Sequence, residues 1–170
     1  VKIYKESEDG REHILHILGP GDTFAEVVLF NGGDYPAAAL CLEDSSVGVL
    51  RDSDLERLLS LHPSVAIHII QLMARRLRQA QEVVKDMALK NALSRTASTL
   101  LRLAEEYGQV SPEGDLVVVS LSNQELANLV GTTRETVNRV LNAFKKEESI
   151  DIDRRKVTIL DRSKLESWIR

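Results

Sequence analysis

An amphipathic run opens at Ser64, just after the interruption His62-Pro63, and continues to about Asn91. At 1.5 Å per residue it predicts a helix of roughly 40 Å. Ala66, Ile70, Met73, Leu77, Ala80, Val84 and Met87 recur by four and three, a heptad seam. A second apolar stripe runs through Val65, Ile69 and Leu72. One stripe can face a partner helix while the other lies on a neighbouring domain. A single buried core helix is the alternative, but the sustained seam favours a parallel homodimer. The run divides the chain into residues 1–62, 63–91 and 92–170.

Residues 1–50 read as short strands between turns. Residues 1–4 alternate, Glu8-Asp9-Gly10 marks a turn, and residues 12–18 return as a strand. Gly19-Pro20-Gly21-Asp22 is a second turn, followed by Thr23-Phe24, a break at Gly32-Gly33-Asp34, an apolar run at 37–42 and another strand at 46–50. The pattern predicts a sandwich or barrel. The first strand lacks an earlier partner, so the expectation is a partial β domain whose edge is completed from elsewhere. Residues 51–61 predict a short helix, with Ser53 and Glu56 at capping-box spacing.

Beyond residue 92 the pattern changes again. A helix is expected over 94–107, stopping at Gly108, then a turn at 112–115 and a β-rich run at 116–121. Ser122 and Glu125 form a second capping box, and Leu126, Ala127, Leu129 and Val130 supply a buried helix face. Gly131 suits the left-handed position that ends such a helix. Thr132 or Thr133 then caps another helix that buries Val137, Val140 and Leu141. Two short helices around a tight Gly-containing turn make a helix-turn-helix, whose second helix enters the DNA major groove with its first residues. Here these are Arg134, Glu135, Asn138 and Arg139. Arginine matches guanine O6/N7 bidentately, and glutamate accepts from the cytosine amino group. The bland alternative is that Glu135 completes a cap and the arginines are merely solvated. Residues 150–152 and 157–160 predict a hairpin around Asp153-Arg154-Arg155-Lys156, a wing whose Arg155 and Lys156 would meet backbone phosphates.

Charge at first argues otherwise. The net charge is −4 and the pI about 5.6, whereas DNA affinity comes largely from cations. Divided, residues 1–91 hold 10 Lys/Arg against 14 Asp/Glu, and residues 92–170 hold 12 of each. All the net negative charge lies outside the helix-turn-helix half. A lone cysteine, Cys41, makes no internal disulfide, and neither a signal peptide nor a membrane span is legible, so the expected location is cytoplasmic.

At this point the chain resembles the CRP/FNR family of bacterial transcription regulators. The resemblance rests on Val1-Lys2-Ile3-Tyr4, Asp9-Gly10-Arg11-Glu12, Gly21-Asp22-Thr23-Phe24-Ala25-Glu26 with Leu29-Phe30, Gln71-Leu72-Met73-Ala74-Arg75-Arg76-Leu77, Gln124-Glu125-Leu126-Ala127 and the run from Gly131 to Arg139. It implies an α+β chain: a (partial) double-stranded β-helix or jelly-roll sensor resembling a cyclic-nucleotide-binding domain, a long dimerisation helix and a C-terminal winged helix-turn-helix. It implies a homodimer on double-stranded DNA, with RNA polymerase as a further partner. It places Arg134, Glu135 and Arg139 where a TGTGA-like half-site is read, and Ser122, Asn123, Gln124, Thr132, Thr133 and Thr136 near phosphates.

The effector is less legible. The family's cyclic-nucleotide roll uses Gly-Glu and Arg-Ser. Here Glu26 follows Ala25, and Pro36-Ala37 stand in place of Arg-Ser. Without that arginine there is no bidentate phosphate clamp, which argues against cyclic AMP. The expected effector pocket comprises Phe24, Ala25, Glu26 and Phe30 with Leu72, Met73 and Leu77 of the long helix. The sensor stretch looks closest to the dissimilatory nitrate respiration regulators, which are linked to haem and nitric oxide. Candidate iron ligands are His13, His16, His62 and His68, each more simply a packing or surface histidine. On a regular strand His13 and His16, three apart, point to opposite faces and form no pair. A cupin-type metal-dependent enzyme using Gly10, His13, His16 and Glu26 is the competing class, but it leaves residues 92–170 unexplained.

Overall fold

The structure is a computed structural model that describes residues 1–111, 116–117 and 120–169. The expected turn at 112–115, and residues 118–119 of the β-rich run, lie outside the described residues.

Strands β1 (Lys2–Glu6) and β2 (Glu12–Ile17) form an antiparallel hairpin, and β3 (Ala38–Leu40) pairs with the other edge of β1. The register slips between Ile3 and Tyr4, so that Ile3 faces His16 while Tyr4 faces Ile14. Leu15 is the extra residue of this bulge. The bulge breaks the period of two, and Ile14 and Ile17, three apart, are both buried. The opposite-faces argument for His13 and His16 therefore fails: it assumed a regular strand.

Two further expectations for this half are corrected. Residues 46–50 pair with no described strand, and Val47, Val49 and Leu50 are exposed. Their apolar character alone does not make a strand without a neighbour to take the backbone hydrogen bonds. Residues 26–31, for which the sequence pattern predicts no element, form the short helix α1 (Glu26–Asn31), entered through Ala25 in a left-handed conformation (φ 68°, ψ 16°). Helix α2 (Asp52–Leu61) starts at Asp52, so Ser53 already lies inside it and the Ser53/Glu56 capping box does not form.

Helix α3 (Ser64–Leu89) runs for 26 residues, about 39 Å, and ends at Lys90, whose backbone is extended. Asn91 then caps α4 (Ala92–Tyr107), its side chain accepting from Ser94 N at 2.9 Å. The second half continues through β4 (Gln109–Val110), β5 (Leu116–Val117), α5 (Asn123–Val130), α6 (Arg134–Lys146), β6 (Ile150–Asp153), β7 (Lys156–Ile159) and α7 (Arg162–Ser167). Its sheet has the order β4-β5-β7-β6. The unexpected α7 is capped by Asp161 and buries Leu165; just beyond it Trp168 stacks obliquely on Phe144, 6.0 Å between centroids. Leu100, Leu103, Val137, Leu141, Phe144 and Ile150 form the centre of this core. Ile14 and Ile17 of β2 join the same cluster, so the first hairpin is packed on the C-terminal half.

Candidate nucleic-acid interface

The helix-turn-helix is built by local polar chemistry over an apolar base. Ser122 accepts from Glu125 N, and Ser122 N donates to Glu125 Oε2 at 2.8 Å, closing the expected capping box at α5. Gly131 ends α5 in the left-handed region (φ 72°), where a Cβ would also come within 3.1 Å of Met87 Cε on α3. Thr133, rather than Thr132, caps α6: its hydroxyl accepts from Thr136 N at 3.2 Å and lies 3.1 Å from Thr136 Oγ1. The buried faces are the expected ones, Leu126, Ala127, Leu129 and Val130 on α5, and Val137, Val140 and Leu141 on α6.

This leaves the outward groups in defined places. Arg134, Glu135 and Arg139 are exposed at the start of α6. The Glu135 carboxyl is held below the usual carboxylate range by its own backbone N–H and the Thr133 hydroxyl, so it stays an acceptor at neutral pH. Asn138 accepts from Asn123 Nδ2, which fastens α6 to α5. Gln124 donates to Asn128 Oδ1 at 2.8 Å along α5. The wing turns through Arg154 in a left-handed conformation (φ 55°), with Arg155 and Lys156 exposed. Lys145, also basic, is drawn off by Asp151 at 2.9 Å.

Arg95 is a residue that pattern reasoning missed. From the first turn of α4 its guanidinium donates to three carbonyls: Lys90 O (2.9 Å), Val130 O (3.2 Å) and Gly131 O (3.2 Å). It joins the α3–α4 linker to the turn of the helix-turn-helix. The available signal was its position: a cation in the first turn of a helix opposes the dipole and calls for a tertiary partner.

The residues expected to form an effector pocket have different surroundings. Glu26 is buried, accepts from Thr23 Oγ1 at 2.7 Å and is paired with Arg76 of α3, whose guanidinium also donates to Thr23 O. Phe24 sits against Tyr35, 6.4 Å between centroids, while Phe30 and Leu77 are exposed. A crevice of about 570 Å³ lies between α3 and α4, and of the expected pocket residues Leu72 lines it. The lining includes neither histidine nor cysteine. His13 and His16 are half-buried, and His62 and His68 are exposed. Burial, helped by Arg76 and Arg102, pushes the His16 pKa down. No group of three His, Cys, Asp or Glu placed to hold a metal occurs among the described residues.

Comparison with known proteins agrees with this geometry. Residues 1–62 match the cyclic nucleotide-binding domain model, and residues 94–168 match the Crp-like helix-turn-helix domain model. The chain is 33% identical over 166 residues to the CRP-like cAMP-activated global transcriptional regulator of Mycobacterium tuberculosis, covering 97% of this chain and 74% of the relative. It is 32% identical over 154 residues to the anaerobic regulatory protein of Bacillus subtilis, covering 90% and 65%. A crystal structure of a CRP-family transcriptional regulator from Thermus thermophilus superposes with a TM-score of 0.82 at 26% identity, covering 99% of this chain and 82% of that one. These relatives are regulators, which removes the cupin-type enzyme. No helix among the described residues is long and apolar enough to cross a membrane. With a cyclic-nucleotide-type roll, a long linking helix and a winged helix-turn-helix in one chain, this protein belongs to the CRP/FNR family of DNA-binding transcription regulators.

Proposed function

We propose that the chain acts as a homodimer that reads an inverted repeat of TGTGA-like half-sites, under control of an effector other than cyclic AMP. The observation that carries the reading is the capped, closed helix-turn-helix that leaves Arg134, Glu135 and Arg139 exposed at the start of α6. Arg134 and Arg139 supply guanine contacts and Glu135 a cytosine contact. Ser122, Asn123, Gln124, Thr132, Thr133 and Thr136, with Arg155 and Lys156 of the wing, set the register on phosphates. Asn138 acts through Asn123, holding the reading helix on its support.

Dimerisation through α3 is supported by what the single chain leaves open. Ile70, Leu77 and Val84 are 62%, 61% and 67% exposed, and among the described residues α3 buries none fully. The second stripe, Val65, Ile69 and Leu72, is half-buried. The heptad face is therefore the one left for a second copy. Contact with RNA polymerase belongs to the same proposal by family likeness.

Two observations argue against cyclic AMP. Glu26 is already paired with Arg76, and Pro36-Ala37 stand where the phosphate-binding Arg-Ser pair would lie. The α3–α4 crevice offers no imidazole or thiolate to an iron.

The test is fluorescence anisotropy on a labelled duplex with two half-sites one helical turn apart, run beside sedimentation analysis. Wild type should bind as a dimer, and Leu77→Glu/Val84→Glu should be monomeric and bind far more weakly. Equal affinity in monomeric and dimeric forms would overturn the reading. Calorimetric titration with cyclic AMP should give no saturable heat.

A further inference from the structure

The C-terminal turn of α4 does something the helix-turn-helix itself does not require. Tyr107, its last residue, donates its hydroxyl to Ile17 O at the end of β2, 2.7 Å away. The Tyr107 ring lies against the turn that follows, so close that a Cβ on Gly19 would approach its Cδ1 to 3.2 Å. Just before it, Glu106 accepts from Gln79 of α3. Ile14 and Ile17 close the contact from the side of the roll.

We propose that Tyr107 is a positioning residue that fixes the angle of the DNA-binding half on the sensor roll, and so sets the half-site spacing the protein accepts. The three elements meeting here have separate tasks: the roll belongs to sensing, α3 to dimerisation and α4 to DNA binding. A helix held at its N-terminal end alone, through the short linker at Lys90 and Asn91, is free to swing about that linker. Tyr107 sits at the opposite end of α4, fifteen residues and about 22 Å from Ala92, where a given swing gives the largest displacement. A bond to a main-chain oxygen on one side and a ring seated on a glycine on the other leave little slack. Burial pushes the phenol up to about 12, so the hydroxyl remains a donor across the whole physiological range. No base or phosphate needs to touch Tyr107 for this role.

The inference rests on the dimeric reading above, because spacing has meaning only for two linked reading heads. It makes a prediction that a merely structural tyrosine would not. To bind an operator with its half-sites one or two base pairs too far apart, the DNA-binding half must leave the Tyr107 contact. Wild type should discriminate against such operators, and Tyr107→Phe should lose part of that discrimination. One hydrogen bond corresponds to a factor of roughly three to ten in the ratio of the two affinities. Gly19→Ala, on the other side of the contact and outside the DNA-binding half, should relax the same ratio by crowding the ring.

The experiment measures three duplexes with each protein: the inverted repeat at its best spacing, the same repeat with two inserted base pairs, and a single half-site. Thermal unfolding is recorded in parallel. The expected result is an unchanged single half-site affinity with a reduced spacing ratio in both variants. If all three duplexes weaken together in proportion to a fall in Tm, Tyr107 is only a core residue and the inference is overturned. An unchanged ratio overturns it equally. If wild type binds no inverted repeat better than a single half-site, the dimeric reading itself fails, an outcome distinct from both.

Discussion

Replacing Arg95 by Met tests how the linker is tied to the reading head. The guanidinium donates to Lys90 O at 2.9 Å and to Val130 O and Gly131 O at 3.2 Å. A hydrogen bond from a charged group is worth about 1.5–3 kcal/mol net. The full multiple does not apply. Two of the three bonds are long, the side chain is only half-buried, and carbonyls at a helix end can be rehydrated. The last carbonyls of α5 also lose a favourable charge, about 0.3–1 kcal/mol. The methionine keeps most of the apolar stem, so packing changes little. A loss of about 2 kcal/mol is expected in urea unfolding followed by circular dichroism. Arg95→Lys should recover less than half of it, since one ammonium on a shorter stem cannot reach three acceptors in a fork. A loss below about 0.5 kcal/mol, or complete recovery by lysine, would refute the reasoning, because the fork geometry would then contribute nothing.

Ala25→Gly should stabilise the protein by about 0.5–1 kcal/mol in the same assay, since Ala25 occupies a left-handed conformation that costs an L-residue ~1–2 kcal/mol, partly offset by the greater freedom of glycine in the unfolded chain. Arg134→Ala should cost about 1–3 kcal/mol of DNA affinity and relax selectivity at one base pair, while Lys156→Ala should weaken all sequences alike and lower the salt slope; identical behaviour of the two in salt titrations would contradict the assigned roles. His16 is depressed in the fold, chiefly by burial, so the unfolded chain binds its proton more readily. Its contribution to stability should be complete above pH 6.5 and decline as the pH falls below that value, and His16→Gln should flatten this part of a stability–pH curve measured from pH 8 to 5.

The parts of the molecule legible in the sequence are those decided within a turn or two of chain. The Ser122/Glu125 box, the left-handed Gly131, the Thr133 cap and the long helix α3 each depend on neighbours three or four residues away, and each stands where the pattern puts it. What was not legible depends on distant partners. The bulge at Leu15 is set by how β1 crosses β2, and it changes which residues face inward. Residues 46–50 have strand composition without a strand to pair with. The Ser53 box fails because the chain turns helical one residue early. Glu26 stands out in the sequence as a sensor carboxylate, yet its partner is Arg76, fifty residues on, which no local pattern points to. Arg95 and Tyr107 carry no local motif at all. Their partners lie on α5 and β2, and only the fold brings them together.

The distribution of committed and uncommitted cations resolves the tension between an acidic chain and a DNA-binding role. In residues 92–169 the arginines and lysines away from α6 and the wing are used internally: Arg95 on carbonyls, Arg102 on Glu106, Arg162 on Glu105 and Glu166, and Lys164 on Glu147 O. Lys145 is spent on Asp151 at the base of the wing. The remaining six, Arg134, Arg139, Lys146, Arg154, Arg155 and Lys156, make no salt bridge or side-chain hydrogen bond among the described residues, and all are exposed. They lie on α6 and at the wing tip, the two elements that meet a duplex in a winged helix. A bulk pI of about 5.6 averages these six against carboxylates that are mostly elsewhere. Because a cation already paired within the fold releases little counterion on binding DNA, the electrostatic component of affinity follows from these few free groups and not from net charge. With so few per chain, the proposed homodimer is expected to show modest non-specific attraction and to bind tightly only with two correctly spaced reading heads engaged at once. On the proposed reading, that requirement would make the α3 seam and the Tyr107 contact as important to recognition as the arginines proposed to touch the bases.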